Sequence, residues 1–265
     1  MLVLGAAGSG KSTLLRTALE AEGSGVVLLA PGAVEYNSYR GLADNPSYRL
    51  ADFDDPDFLP LIGNTAVEGL ANAMRYLVRL RASLEAEPGR FAVLGIDTAS
   101  GIGQLTANVM LKRCGLSEAP PARGTEGAQY YTGIANLLHQ FFAVAFKCRT
   151  LGAHLIVLSH VQERENVPET AVAGLAGSVY LPMLPGGFKT TMPSLFDLTF
   201  YAEVALMGRL LDGHNDPSNP RHVLKWLPDP KRPTKSRLGA LNDGKPIANE
   251  WSVLRPLIDA ALATT

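Results

Sequence analysis

A glycine-rich motif close to the amino terminus constrains the fold of this chain more than any other feature. Residues 5–12 read Gly-Ala-Ala-Gly-Ser-Gly-Lys-Ser and match the pattern G-x-x-x-x-G-K-[ST] in full. An apolar segment that predicts a buried strand precedes the motif, and a predicted helix over residues 11–21 overlaps its end. Such a loop turns backbone N–H groups around a phosphate, and the helix N-terminus adds positive dipole. The motif therefore predicts a phosphate-binding loop, called the P-loop below.

The motif also predicts roles for its side chains. Lys11 is expected to reach the β- and γ-phosphates of a nucleotide, and the Ser12 hydroxyl is expected to bind Mg²⁺. The alternative is a glycine-rich turn that binds nothing. The residues predicted to contact the nucleotide form one run: Gly5, Ala6, Ala7, Gly8, Ser9, Gly10, Lys11, Ser12 and Thr13.

Apolar strands alternate with helices along the rest of the chain. Strands are predicted at residues 26–30, 91–97 and 154–159, and helices at residues 66–86 and 126–150. This alternation is typical of an α/β fold with a mostly parallel central sheet and helices on both faces. We expect a single domain over residues 1–265.

The last third of the chain is less regular. Residues 161–195 are rich in Gly and Pro and are predicted to be irregular and mobile. Strand-like segments return at residues 198–207 and 222–227, and a final helix is predicted at residues 255–262, with Pro256 in its first turn.

Charge and cysteine content exclude several classes of protein. Lys and Arg number 24 and Asp and Glu 25, so no overall basic field attracts nucleic acid and any such contact needs a local patch. Two cysteines are too few for a disulfide framework or a structural zinc site. No apolar run reaches the ~18 residues of a membrane span. We therefore expect a cytoplasmic protein without a membrane partner.

Asp97 ends the predicted strand at residues 91–97 and is the candidate for the second half of a P-loop site. An acidic residue in this position holds Mg²⁺ through water. The alternative is that Asp97 caps the helix that follows the strand.

With these residues in place, the chain resembles the RecA-like P-loop ATPases encoded by bacteriophages, which are AAA-type nucleotide-binding proteins. Within them it is most similar to the Sak-type single-strand annealing ATPases. The resemblance rests on the P-loop and on short strings in the same order, namely residues 97–100, 133–136, 158–160, 195–197 and 235–239. It implies a RecA core that binds ATP with Mg²⁺, hydrolyses it, and anneals or exchanges single-stranded DNA in phage recombination. Further copies of the chain and a single-strand binding protein are the implied partners.

The resemblance also implies catalytic residues. Glu35 would be the catalytic glutamate, against an ordinary loop glutamate, and His160 would sense the γ-phosphate, against a structural histidine. Lys235 and Arg237 belong to a basic segment at residues 221–240. They would reach the ATP of a neighbouring subunit, as an arginine finger does; a solvated tail and a DNA contact are the alternatives.

A DNA-binding loop is implied at residues 161–195. Arg164 and Lys189 would contact phosphates there and Phe188 would stack on bases, with Tyr180 as a weaker candidate. The arginines of the helix at residues 66–86, namely Arg75, Arg79 and Arg81, are interpreted as a solvated face.

Two other classes of function remain open. A P-loop kinase of a small molecule is the first, although few arginines follow the fourth strand where a kinase lid would carry them. An ATPase motor or switch outside recombination is the second.

Overall fold

The computed structural model describes residues 1–29, 36–51, 66–165, 178–205, 221–225, 234–236 and 246–262. Its helices and strands follow in chain order: β1 (Leu2–Gly5), α1 (Lys11–Glu22), β2 (Gly25–Leu29), α2 (Tyr36–Tyr39), β3 (Tyr48–Ala51), α3 (Ala66–Ala86), β4 (Val93–Asp97), α4 (Ala99–Cys114), α5 (Thr125–Thr150), β5 (His154–Glu165), β6 (Ser178–Pro182), α6 (Phe188–Thr191), β7 (Leu198–Ala205), β8 (Arg221–Lys225), β9 (Lys235–Ser236), β10 (Ile247–Ala248) and α7 (Trp251–Leu262). Short 3₁₀ turns lie at Arg40–Leu42 and Met192–Leu195.

The described residues group into two compact units. The first takes its residues from 1–21, 158–183 and 190–265, and the second from 22–157 and 184–189. These units are defined by packing, whereas a domain is defined by independent folding. The expectation of one domain over the chain therefore stays a prediction.

The first unit carries the P-loop. Its strand β1 is buried along its whole length and pairs in parallel with β7, because a run of apolar residues satisfies both faces of a covered sheet. On the other side of β7, β8 pairs antiparallel with β7, and β10 pairs antiparallel with β8. Helix α7 buries Trp251, Leu254 and Ile258, which lie at the i, i+3, i+7 spacing of one helical face.

The second unit carries Asp97. Its strand β2 lies between β3 and β4 and is parallel to both. Helices α3, α4 and α5 pack on one another. The side chains of Ile134, Leu138 and Phe141 are fully buried along one face of α5. Gly115 ends α4 in a left-handed conformation with φ 67°, and the Leu116 N–H donates to Leu111 O at 2.9 Å, which closes the last turn.

The predicted fold class is confirmed: the chain has an α/β fold with a mostly parallel central sheet flanked by helices, as in P-loop NTPases. The predicted bounds of α3 are also those of the structure, and α5 begins one residue earlier than predicted. Among the described residues, α4 is the long helix that the sequence patterns did not predict. Gly101 and Gly103 in its first turns lower the helix propensity of this segment.

The prediction of an irregular segment at residues 161–195 is wrong for the residues that the structure describes. Strand β5 continues to Glu165 and pairs antiparallel with β6, with Val161 opposite Pro182 and Glu165 opposite Ser178. Helix α6 and a 3₁₀ turn follow. The strand was missed because residues 162–165 are all polar, and ladder hydrogen bonds rather than apolar periodicity define it. Residues 166–177 lie outside the described residues.

Helix α7 begins at Trp251 instead of residue 255, so Pro256 is its sixth residue and not part of its first turn. Proline removes the N–H that would bond to the carbonyl of Ser252. Ser252 and Pro256 are both exposed, so solvent can satisfy that carbonyl and the helix tolerates the proline.

Candidate nucleotide-binding site

The P-loop joins the end of β1 to the start of α1 within the first unit. Gly8 and Gly10 have φ values of 74° and 84°, in the left-handed region that favours glycine. The Ser9 N–H donates to Ala6 O at 3.3 Å and closes a tight turn. Ala6, Ala7 and Gly8 are exposed at the tip of the loop, so an anion can approach the backbone there.

Position 10 requires glycine because of its φ angle and also because neighbouring atoms leave no room for a Cβ atom. A Cβ atom at this position would lie 2.6 Å from Asn249 Nδ2 and 2.7 Å from His222 Cγ. Asn249 Nδ2 also donates a hydrogen bond to Gly10 O at 2.7 Å. The conformation of the loop is therefore fixed from behind by β8 and by the residue that follows β10.

Asn249 and His222 were missed by the sequence analysis. Asn249 is 3% exposed, and neither its Oδ1 nor the buried Nδ1 of His222 has a hydrogen-bond partner among the described residues. Burial of unpaired polar atoms costs free energy, and such atoms are rare. No local pattern could have found these residues, since Asn249 is separated from Gly10 by 239 positions.

Lys11 is buried, with 5% of the residue exposed. Its Nζ donates to Gly5 O at 3.0 Å and to Ala6 O at 2.7 Å. The ammonium group is thus held over the P-loop by backbone carbonyls. Contact with a phosphate would exchange one or both of these hydrogen bonds, in which only the donor is charged, for one in which both partners are charged.

The first turn of α1 suits an anion. It contains no acidic residue, so nothing offsets the positive end of the helix dipole. Ser12 is half-buried and Thr13 is exposed. Both belong to the turn whose N–H groups lack intrahelical partners. The P-loop therefore fits the phosphates of a nucleotide.

Asp97 ends β4 in the second unit, as predicted, and is fully buried. Its Oδ2 accepts a hydrogen bond of 2.7 Å from the hydroxyl of Tyr39, a residue that the sequence analysis did not single out. The helix after the strand is capped by Thr98, whose Oγ1 accepts from the Gly101 N–H at 3.2 Å. Asp97 is therefore not the helix cap, and the capping alternative is excluded.

The oxygen donors at these positions fit Mg²⁺ in type. Ser12 offers a hydroxyl and Asp97 a carboxylate, which are hard ligands. The described residues contain no group of three or more His, Cys, Asp or Glu side chains that could hold a metal. One or two protein ligands are enough for Mg²⁺, because the ion keeps several waters and also binds the phosphates of the substrate.

The other predicted catalytic residues are placed only in part. Glu35 and Arg237 lie outside the described residues, and Lys235 lies in β9, which pairs with β7. His160 lies inside β5 and not after its end, and its carbonyl accepts from the Met183 N–H at 2.7 Å. Its role as a sensor stays a prediction.

One predicted DNA contact is wrong in this structure. Phe188 is 1% exposed, stacks on Phe142 with ring centroids 5.8 Å apart, and meets His139 edge to face at 4.8 Å. An aromatic ring packed this way belongs to the core and offers no face to a base. Arg164 lies in β5 and Lys189 in α6, so neither is in an irregular loop.

Comparison with known proteins settles the family. A family model described as an AAA domain matches residues 1–238. The chain belongs to the AAA-domain family. Nucleotide binding and ATPase activity in general follow from this membership. A search of curated proteins gave no match to this AAA-domain protein. Within the described residues, no helix is both long and apolar enough to cross a membrane.

Proposed function

We propose that this AAA-domain protein binds ATP with Mg²⁺, hydrolyses it, and acts on single-stranded DNA in phage recombination or annealing. The observation that carries the nucleotide part is the P-loop, a fixed backbone cradle with exposed tip residues 6–8 and a lysine held beside it. The DNA part is carried by the resemblance to annealing ATPases.

Each part of the P-loop has a task in this proposal. The N–H groups of the loop and of the first turn of α1 bind the β-phosphate, and Lys11 moves from its carbonyl partners to the β- and γ-phosphates. Ser12 and Asp97 hold Mg²⁺, Asp97 through water. The bound ion neutralises charge on the phosphates as the bond to the γ-phosphate breaks.

The finer catalytic assignments belong to the same proposal. Glu35 orients the attacking water, His160 senses the γ-phosphate, and Lys235 and Arg237 act on the ATP of an adjacent copy in a homo-oligomer. Arg164 and Lys189 contact the phosphates of DNA, and a single-strand binding protein is a partner. The host cytoplasm is the proposed location.

The proposal is tested by ATP hydrolysis with and without single-stranded DNA at two salt concentrations. We expect DNA to raise turnover at low salt and less so at high salt, because phosphate contacts release counterions. Asp97→Asn should keep some nucleotide binding and lose Mg²⁺-dependent turnover. Asp44→Asn, at an exposed position, is the matched control. ATP turnover that does not change when single-stranded DNA is added would reject the proposed action on DNA. Unchanged turnover in Asp97→Asn would show that Asp97 is not part of the site.

Action in trans has its own test. Lys11→Ala protein is mixed with a Lys235→Ala/Arg237→Ala double variant, and ATP turnover is measured in the mixture. In mixed oligomers some interfaces pair an intact P-loop with intact basic residues, so activity should return. No recovery, with mixed assembly confirmed by native mass spectrometry, would reject a role in trans.

A further inference from the structure

A cavity of about 250 Å³ in the second unit brings together three arginines from separate parts of the chain. Arg49 comes from β3, Arg79 from α3, and Arg90 from the segment that leads into β4. Tyr76, Ser83 and Phe91 also line it. No carboxylate is present among the lining residues that the structure describes. Leu80 completes the lining, so the cavity, called the arginine cavity below, presents guanidinium and hydroxyl groups in a partly apolar wall.

Two of the guanidinium groups converge on one aromatic ring. The Cζ atoms of Arg49 and Arg90 lie 6.0 Å and 5.4 Å from the centroid of Phe91, which is 7% exposed. Each contact is a cation–π interaction that holds its guanidinium in place. Phe91 therefore contacts two of the three guanidinium groups that line the cavity.

Arg90 is held toward the cavity by a second contact. Its Nη1 donates to Ser83 Oγ at 3.1 Å, and Ser83 lies one helical turn after Arg79 on the same face of α3. The ion pair of Arg90 with Glu87 is long, at 3.9 Å, and both side chains are exposed. Such a pair contributes little and leaves the charge of Arg90 available to a stronger anion.

The arginine cavity is separate from Asp97. Phe91 and Arg90 precede the amino end of β4, whereas Asp97 is its last residue. The strand rises about 3.3 Å per residue, so its two ends are roughly 13 Å apart. An anion in the cavity would therefore be bound independently of the metal ligand at the other end of the strand.

We propose that the arginine cavity is a second anion site that binds a phosphate group. Guanidinium forks bind phosphate oxygens in pairs. The volume corresponds to about eight water molecules, which suits phosphate or pyrophosphate and is below the range for a whole nucleotide. The phosphate can come from a free anion or from the backbone of a single-stranded nucleic acid. The site needs neither ATP nor the P-loop and so goes beyond the nucleotide part of the proposed function. If the phosphate belongs to a nucleic acid, the site rests on the DNA part of that function and extends it.

The test compares two arginines of α3. Both arginines are exposed, but Arg79 lines the cavity, whereas Arg75 donates to Asn72 Oδ1 at 3.0 Å and does not line it. Arg79→Gln and Arg75→Gln are each made in the Lys11→Ala protein, so that the P-loop gives the same weak background throughout. Pyrophosphate is titrated into each protein by isothermal calorimetry, and a fluorescent oligothymidylate is titrated by anisotropy over a series of salt concentrations.

We expect Arg79→Gln to weaken binding about tenfold or more, because a charged hydrogen-bond donor is lost, and Arg75→Gln to change it by less than about twofold. If Arg79→Gln weakens the binding of pyrophosphate but not that of oligothymidylate, the site binds a free anion. Loss of oligothymidylate binding, with a salt slope reduced by about 0.7, assigns it to a single-stranded backbone. Arg90→Gln should act in the same direction as Arg79→Gln. Equal affinities of the folded Arg79→Gln and Arg75→Gln proteins for both ligands would overturn the proposal.

Discussion

The P-loop and the arginine cavity present positive charge to a phosphate in two different ways. The P-loop is made of consecutive residues, and its donors are backbone N–H groups whose directions are set by Gly8 and Gly10. The arginine cavity is made of side chains at positions 49, 79 and 90, which meet only in the folded second unit. One site is fixed by backbone conformation and the other by packing.

This difference predicts different binding properties. Backbone donors are already ordered, so an anion at the P-loop costs little conformational entropy. Long arginine side chains lose up to ~2 kcal/mol each in rotamer freedom when they are immobilised. The cation–π contacts of Arg49 and Arg90 reduce that cost in part. We therefore expect tighter binding at the P-loop, and weaker binding that is more sensitive to salt at the arginine cavity.

Removal of the P-loop lysine should give the largest effect. Lys11→Ala deletes the one side chain of the loop that carries charge toward the phosphates, and we expect ATP turnover to fall by about 10²–10³. The measurement is steady-state ATP hydrolysis, together with nucleotide affinity by fluorescence.

Arg16→Ala is the matched control in the same helix. The side chain of Arg16 is 43% exposed and pairs with Glu20 at 2.8 Å, a surface contact worth about 0.5 kcal/mol, so turnover should stay as in the unmodified protein. Wild-type nucleotide affinity in a folded Lys11→Ala protein would contradict the assignment of the P-loop.

Alanine substitutions at the two positive-φ glycines of the P-loop separate the cost of backbone strain from the cost of a clash with neighbouring atoms. Gly10→Ala should lower the free energy of unfolding by about 2–5 kcal/mol, because a left-handed alanine is strained and its Cβ would clash with Asn249 and His222. Gly8→Ala has the same strain but no atom within 4 Å, so about 1–2 kcal/mol is expected. Urea unfolding of both variants measures the difference. Equal losses would show that the contacts behind the loop add nothing.

The contrast also explains what could be predicted from the sequence. The P-loop, the strand that ends at Asp97 and helices α3 and α5 depend on local patterns, namely a contiguous motif and apolar periodicity. Helix α4 was missed because its glycines lower helix propensity, and its start depends on the Thr98 cap.

The features that were missed or wrong arise from contacts between distant positions. Phe188 looks exposed in a segment rich in Gly and Pro, but Phe142 of α5 covers it. Asn249 and His222 contact Gly10 although they lie near the other end of the chain. Arg79 is exposed, as the interpretation of a solvated face expects, but the sequence did not show that it lines a cavity with Arg49 and Arg90. Sequence patterns report the neighbours along an element and not the elements that pack on it.

Asp97, the proposed Mg²⁺ ligand, is held by a side chain, as Arg49 and Arg90 are. Tyr39→Phe removes the hydroxyl that donates to Asp97 Oδ2 and keeps the ring. We expect the free energy of unfolding to fall by about 1.5–3 kcal/mol, the usual loss for a hydrogen bond to a charged group. Urea unfolding of Tyr39→Phe, Asp97→Asn and the double variant gives the coupling between the two residues. A coupling near zero would mean that Tyr39 does not hold the carboxylate.

The smallest expected effect tests how far the arginine cavity is preorganised. Ser83→Ala removes the acceptor of the Arg90 Nη1–H and leaves all three arginines in place. If the contact orders Arg90, the variant should bind pyrophosphate about two- to threefold more weakly at unchanged stability, since an exposed contact of this kind contributes about 0.5 kcal/mol. Ala82→Ser, at the exposed neighbouring position of α3, is the control for helix propensity. Unchanged pyrophosphate affinity in Ser83→Ala would mean that the arginines are ordered by the anion itself, and the cavity would then differ from the P-loop in preorganisation as well as in construction.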